Sequence, residues 1–223
     1  MNLLTILALL ILAVCAIGGL ARGFVKTVFT LVGLVAAIAA AVFLSPHLSS
    51  YLAETSLYDD IETQVEKAVD DTGSSQEGLT MGDAARIFAL PSMLSSELQS
   101  SSEGYPEGGL TAYTVTYVTG KIIDVIAFII VLAAVWIIIA LIAHALDHLA
   151  RKPVLNALNR FGGLAIGLLK GMLILWIFCL LIMLAVSFNI GNDLYAQIQE
   201  STFLSWVYDN NLLLTLLGGL IGA

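Results

Sequence analysis

Residues 125–143 read VIAFIIVLAAVWIIIALIA, nineteen positions without a charge, a proline or a glycine. Ile and Val favour strands in water. In lipid, however, every backbone N–H and C=O needs a partner inside its own segment, so a run of this length is a helix. A hydrocarbon core of about 30 Å takes roughly 20 helical residues. Working outward, three more runs meet that length: Leu3–Leu20, a stretch within Thr27–Pro46, and Gly171–Phe188, which Phe161–Leu169 extends backwards. Only Ala21–Lys26 separates the first two, which places a bend near Arg22-Gly23. The sequence therefore predicts an all-α integral membrane protein with four transmembrane helices in two hairpins. Residues 1–44 form the first hairpin, 45–120 an acidic extracytoplasmic loop, 121–188 the second hairpin and 189–223 an interfacial tail.

Composition points the same way. The 223 residues are 59% hydrophobic and 12% charged, against about 25% charged for a soluble domain, and the mean hydropathy is +0.95. A disordered chain and a disulfide scaffold are excluded, and a water-soluble enzyme is not expected. The net charge of −8 gives no basis for a nucleic-acid partner held by phosphate neutralisation. Cys15 and Cys179 both lie in apolar runs and carry no information about compartment.

The basic residues orient the chain. Arg22, Lys26, Arg151, Lys152, Arg160 and Lys170 sit at the two short connections with Asp147 alone against them, a balance of +5; the long loop and the tail carry −13. The positive-inside rule then puts the short connections in the cytoplasm and both termini outside. The first run lacks a charged n-region and exceeds an h-region of about 7–15 residues, so it is expected to stay as a span rather than be cleaved. Leu12-Ala13-Val14-Cys15 has Val14 where a lipidation site takes a small residue.

The outer loop holds twelve acids and two bases between Glu54 and Glu107. Leu57, Ile61, Val65 and Val69 recur at steps of four, the stripe of an amphipathic helix, and a second short helix is expected from Met81 to Leu90, ended by Pro91. This loop reads as a solvated cap or as a binding module. Tyr113 and Tyr117 precede the third span where aromatic anchors belong. Leu212–Gly222 is too short to span, so it is expected to pack back on the bundle as an interfacial or re-entrant helix.

Gly163, Gly167 and Gly171 share one helix face, and Gly33, Ala37 and Ala41 make a similar stripe. Small residues let helices in lipid approach closely, so these two stripes are expected to pair within the chain or to join two copies. Gly19-Leu20-Ala21-Arg22-Gly23 and Gly167-Leu168-Leu169-Lys170-Gly171 share the pattern G-x-x-[R/K]-G, each read as the cytoplasmic start of an outgoing span. Arg22 and Lys170 either snorkel as anchors or hold an anionic headgroup or a partner's carboxylate. His144, Asp147 and His148 place two imidazoles at i, i+4, the spacing of a metal pair, but without the H-E-x-x-H pattern. They otherwise dress the interface and the helix C-terminus. Asp124 is expected to pair with Lys121. With no G-x-S-x-G, P-loop or dinucleotide motif, the reading is non-enzymatic, with no cofactor.

Asn159 to Gly171 resembles the hallmark of the colicin V production protein (CvpA) family, D-R-x-x-G-x-x-x-G-x-x-R-G. Arg160, Gly163, Gly167 and Gly171 match it, while Asn159 and Lys170 depart from the Asp and the second Arg. Gly19, Arg22, Gly23 and Phe24 match that family's G-x-x-R-G-F, and Ser201 with Tyr208-Asp209-Asn210-Asn211 is similar to its S-…-Y-x-x-N tail. The resemblance covers roughly residues 1–60 and 115–212. It implies a bacterial inner-membrane accessory factor or scaffold in toxin production or export and envelope homeostasis. The alternative is a small oligomeric channel or transporter subunit. Expected partners are the lipid bilayer, unidentified membrane proteins and a second copy through the glycine faces.

Overall fold

Each uncharged run lies within one unbroken helix, save Phe188 at the end of the fourth, in the computed structural model, which describes residues 2–71, 83, 86–92, 94–96, 110–147, 157–188 and 191–221. The helices are α1 (Leu3–Arg22), α2 (Phe24–Ala53), α3 (Ser56–Asp71), α4 (Leu110–Asp147), α5 (Ala157–Ser187), α6 (Asn192–Gln199), α7 (Thr202–Asp209) and α8 (Leu212–Ile221). Four of them, α1, α2, α4 and α5, are long and apolar enough to cross a membrane.

The bend falls where the sequence placed it. Gly23 has φ +78°, a region that costs glycine nothing because it has no Cβ, and it separates α1 from α2 as a single residue. Its N–H donates to the Gly19 carbonyl at 2.9 Å, and the Thr27 hydroxyl donates to the Gly23 carbonyl at 2.7 Å.

Two spans overrun their expected limits. α2 continues through Pro46 to Ala53. Pro46 has no N–H to give the Val42 carbonyl, and the Ser45 hydroxyl turns towards that oxygen at 3.5 Å, one of the ways a proline is accommodated in a membrane helix. α4 begins at Leu110, well before the uncharged run. At about 1.5 Å per residue, α2 is roughly 45 Å long and α4 roughly 57 Å, so both stand out of a core of about 30 Å. Their protruding parts are joined where the Ser49 hydroxyl donates to the Asp124 carboxylate at 2.5 Å. The Lys121 ammonium lies over the Tyr117 ring, 5.2 Å from its centroid, and Tyr117 stacks on Tyr113.

The cap is built on these protrusions. Ile61, Val65 and Val69 are buried and Leu57 is half-buried, so the predicted stripe of α3 faces α4. Of the expected helix over Met81–Leu90, residues 81, 82, 84 and 85 lie outside the described residues; residues 83, 86 and 87 are helical, the turn at Phe88 and Ala89 ends it before Pro91, and Phe88, Ala89 and Leu90 are buried. In the tail, α8 matches the expected short apolar helix. Leu213, Leu214 and Leu217 are buried as it packs on α2 and α5. The chain start is tied to this tail. Asn2 caps α1 by accepting from the Thr5 N–H at 2.9 Å, and the Leu4 N–H donates to the Gln197 side chain at 3.0 Å.

Candidate functional site

The residues that carried the motifs meet along the seam between α1 and α5, which run antiparallel. Gly163, Gly167 and Gly171 are buried; backbone covers the first two, and the Leu12 and Cys15 side chains cover the third. A Cβ on Gly163 would overlap the Gly19 carbonyl and come within 2.8 Å of the Gly23 carbonyl carbon. One on Gly167 would overlap the Cys15 carbonyl and lie 3.2 Å from the Ala16 Cα; one on Gly171 would meet Leu12 at 3.0 Å and the Cys15 Cβ at 3.2 Å. Gly19 returns the contact, since its Cβ would strike the Gly163 carbonyl. Lipid offers no hydrophobic drive for helices to associate, so van der Waals contact at this range is what holds the pair.

The expected pairing of the two small-residue stripes is corrected by this geometry. Gly33 faces the Ile139 side chain of α4 at 3.3 Å, and α2 packs chiefly on α4, with Ala37 and Ala41 buried. The physical reason is depth. One glycine followed by alanines leaves a shallow groove that takes a side-chain methyl, whereas Gly163 and Gly167 leave a trough that takes bare backbone. The α1 face that enters it, Cys15, Ala16 and Gly19, is itself small, a signal present in the sequence and missed there.

Asn159 sits under the bend, where a Cβ on Gly23 would overlap its side-chain amide; Gly162 makes room for the Phe24 ring, 2.9 Å from where its own Cβ would be. Arg22, Lys26 and Arg160 are exposed around this end and form a cationic rim. Lys170 is placed differently. Gly19–Gly23 ends a helix, but Gly167–Gly171 lies ten or more residues inside α5, level with Cys15. The two copies of G-x-x-[R/K]-G are therefore not at equivalent positions: the apolar residues before Gly167 are already helix inside the bundle, which spacing alone could not show. Lys170 is half-buried and its ammonium lies over the Trp136 ring, 6.0 Å from the centroid. Trp136 went unnoticed in the sequence because one aromatic within an apolar run carries no pattern.

His144 and Asp147 fall on the last turns of α4, where side chains are not described, and His148 lies outside the described residues. Among the described residues no group of three or more His, Cys, Asp or Glu converges.

The opposite end is fastened by hydrogen bonds. The Tyr208 hydroxyl, 2% exposed, donates to the Ala89 carbonyl at 2.6 Å, and Ala89 takes a φ of +47°. Burial raises the Tyr208 pKa well above its usual value near 10. The Asn211 amide donates to the Trp176 carbonyl at 3.0 Å while its carbonyl oxygen accepts from the Leu213 N–H at 3.1 Å. Ser201 caps α7 by accepting from the Leu204 N–H. Ser201, Tyr208 and Asn211, the three positions that match the tail pattern quoted from the sequence, thus have structural partners.

The family model for colicin V production protein matches residues 4–81 and 92–211. No curated protein and no solved structure matches the chain. With its glycine seam, its bend and the tail residues Ser201 to Asn211 all inside the matched segments, the chain belongs to the colicin V production protein family.

Proposed function

We propose that the protein is a non-enzymatic scaffold or accessory factor of the bacterial inner membrane, acting in toxin production or export and in envelope homeostasis. The observation that carries this reading is the α1–α5 seam. It uses the glycines for close packing within one chain, and exposed charge stands elsewhere, at Asp59, Asp60 and Glu66 of the cap and at the cationic rim, where other molecules dock. In this reading Arg22, Lys26 and Arg160 face the cytoplasm, and both termini and the cap lie outside. No cofactor takes part.

Two experiments test it. Crosslinking in native membranes is expected to capture a reproducible set of membrane proteins that thins when the exposed Asp59 and Asp60 become Asn. An unchanged set removes the cap as a docking surface. In spheroplasts, Glu54→Cys is expected to react with an impermeant thiol reagent and Lys26→Cys only after permeabilisation; the reverse pattern overturns the orientation.

The half-buried Lys170 favours one alternative, a small oligomeric channel or transporter subunit. Because the α5 glycines face α1, such an oligomer has to join through another face. Ion flux in vesicles that changes on Lys170→Ala would support it.

A further inference from the structure

At the Gly23 bend the two hairpins touch, and each brings an arginine to the contact. A Cβ on Gly23 would overlap the Asn159 amide, and one on Gly163 would lie 2.8 Å from the Gly23 carbonyl carbon. Arg22 and Arg160 each stand one residue from this approach, and Lys26 follows in the first turn of α2. All three are exposed. Among the described residues none of their side chains has an ion pair or a hydrogen bond. The other cations with described neighbours are accompanied. Lys67 lies within the acidic α3, Arg86 three residues after Asp83, and Lys121 three residues before Asp124. Asp147, whose side chain is not described, is the single acid that the sequence puts at the end of the bend. Like charges brought together from two hairpins repel unless an anion lies between them.

The level of this cluster is set by α1. Its 20 residues make a helix about 30 Å long, the thickness of the hydrocarbon core. Arg22 is the first charge in it, so the bend stands at the headgroup boundary. From there an exposed apolar face climbs α2 through Val25, Phe29 and Val32. These positions, i, i+4 and i+7, share one side of the helix and extend about 10 Å along it. On α5, Phe161 follows Arg160 directly and is 68% exposed. The surface therefore presents cations at one level and apolar side chains immediately beyond it.

We propose that an anionic phospholipid of the leaflet at the bend seats its phosphate among Arg22, Lys26 and Arg160 and lays a chain along the Val25–Val32 face. This rests on the reading of the rim as a docking surface and names what docks there. The lipid bridges the two hairpins, since Arg22 and Lys26 belong to the first and Arg160 to the second. A free phosphate ion or an acidic protein segment would answer the charge and leave the apolar face to something else. A phospholipid answers both in one molecule. A zwitterionic headgroup would carry its own cation into a cluster already short of anions, so the lipid is an anionic one.

The test uses the purified full chain in phosphatidylcholine vesicles that hold a trace of photoactivatable phosphatidylglycerol, its reactive group beside the glycerol. The control carries the same group on phosphatidylcholine. The expected result is about tenfold or more adduct from phosphatidylglycerol, on both hairpins, at residues 22–29 and 158–161. Arg22→Gln and Arg160→Gln are each expected to lower it roughly fivefold, the share of one cation near a membrane surface. Lys121→Gln removes the same charge at the opposite end and is expected to leave the labelling unchanged. Helix content and elution volume check the fold of each variant; if one misfolds, the two lipids on the unaltered chain and on Arg22→Lys decide. Equal labelling by the two lipids overturns the proposal, as do adducts confined to one hairpin. An equal loss on Lys121→Gln also overturns it, because net charge then governs. So does displacement by inorganic phosphate beyond that by chloride at equal ionic strength, which makes the ligand a free anion. No protein partner enters these readouts, so their failure leaves the broader scaffold reading standing.

Discussion

At the bend, Gly163 lays its backbone against Gly19 and Gly23; at the other end, Asn211 and Tyr208 reach across to the carbonyls of Trp176 and Ala89. The first region is held by closeness of approach and the second by directional bonds to buried acceptors. The difference follows the residues each region brings. Along the seam there are only small residues, and apolar side chains gain nothing by leaving lipid for protein, so shape alone discriminates between neighbours. The tail instead brings an amide and a hydroxyl, and one well-placed donor to a buried carbonyl fixes the geometry.

The comparison breaks most readily at the seam. Gly163→Leu drives a branched side chain into the Gly19 carbonyl, with no flexible atom to yield, and is expected to cost about 3 kcal/mol or more. Unfolding in mixed detergent–dodecyl sulfate micelles is expected to show it as loss of the cooperative transition. Asn211→Leu removes both an amide donor to Trp176 and the acceptor for the Leu213 N–H, with an expected loss of about 2 kcal/mol in the same assay. Retention of full stability would show that the tail is held by the apolar contacts of α8 alone.

Tyr208→Phe leaves the Ala89 carbonyl buried without its donor and is expected to cost about 1–1.5 kcal/mol at neutral pH. It also has a pH signature. The folded hydroxyl titrates above its unfolded value near 10 because it is buried, so its contribution is complete below about pH 10. As pH rises through and beyond 10, the unfolded state loses its proton first, and stability falls by up to about 1.4 kcal/mol per pH unit until the raised folded value is passed. The variant is expected to flatten that alkaline fall. A smaller slope remains from Tyr195, 5.8 Å away ring to ring and also raised by burial.

Gly18→Ala gives the smallest effect and the cleanest control. Nothing lies within 4 Å of a Cβ at Gly18, so the exchange is expected to stabilise α1 by about 0.5 kcal/mol through helix propensity. Destabilisation there would mean that the seam is wider than Gly19 alone.

Much of this architecture was readable beforehand. Runs such as Leu3–Leu20 and residues 125–143 report directly on bilayer thickness, the bend needs a residue free to take positive φ at position 23, and Leu57, Ile61, Val65 and Val69 announce the buried face of α3. The small face of α1 was visible, but its pairing with α5 was not, because Gly19 and Gly163 are brought together by tertiary packing and each is equally compatible with any flat neighbour. Lys170 was misplaced for a related reason: the motif around it matches the one at Arg22, while its depth depends on how α5 slides along α1. The Ser49–Asp124 bond escaped because Lys121 was the nearer partner in sequence.

The seam also sets an order of events during synthesis. Gly19 and Gly163 are 144 positions apart, so at about 5–20 residues per second the first helix waits roughly 7–30 s before its partner emerges from the ribosome. Throughout that interval the small-residue groove of the first helix is bare inside the bilayer. The insertion machinery therefore handles a half-made bundle whose most intimate contact forms late, and any chaperone of its biogenesis has a defined surface to shield.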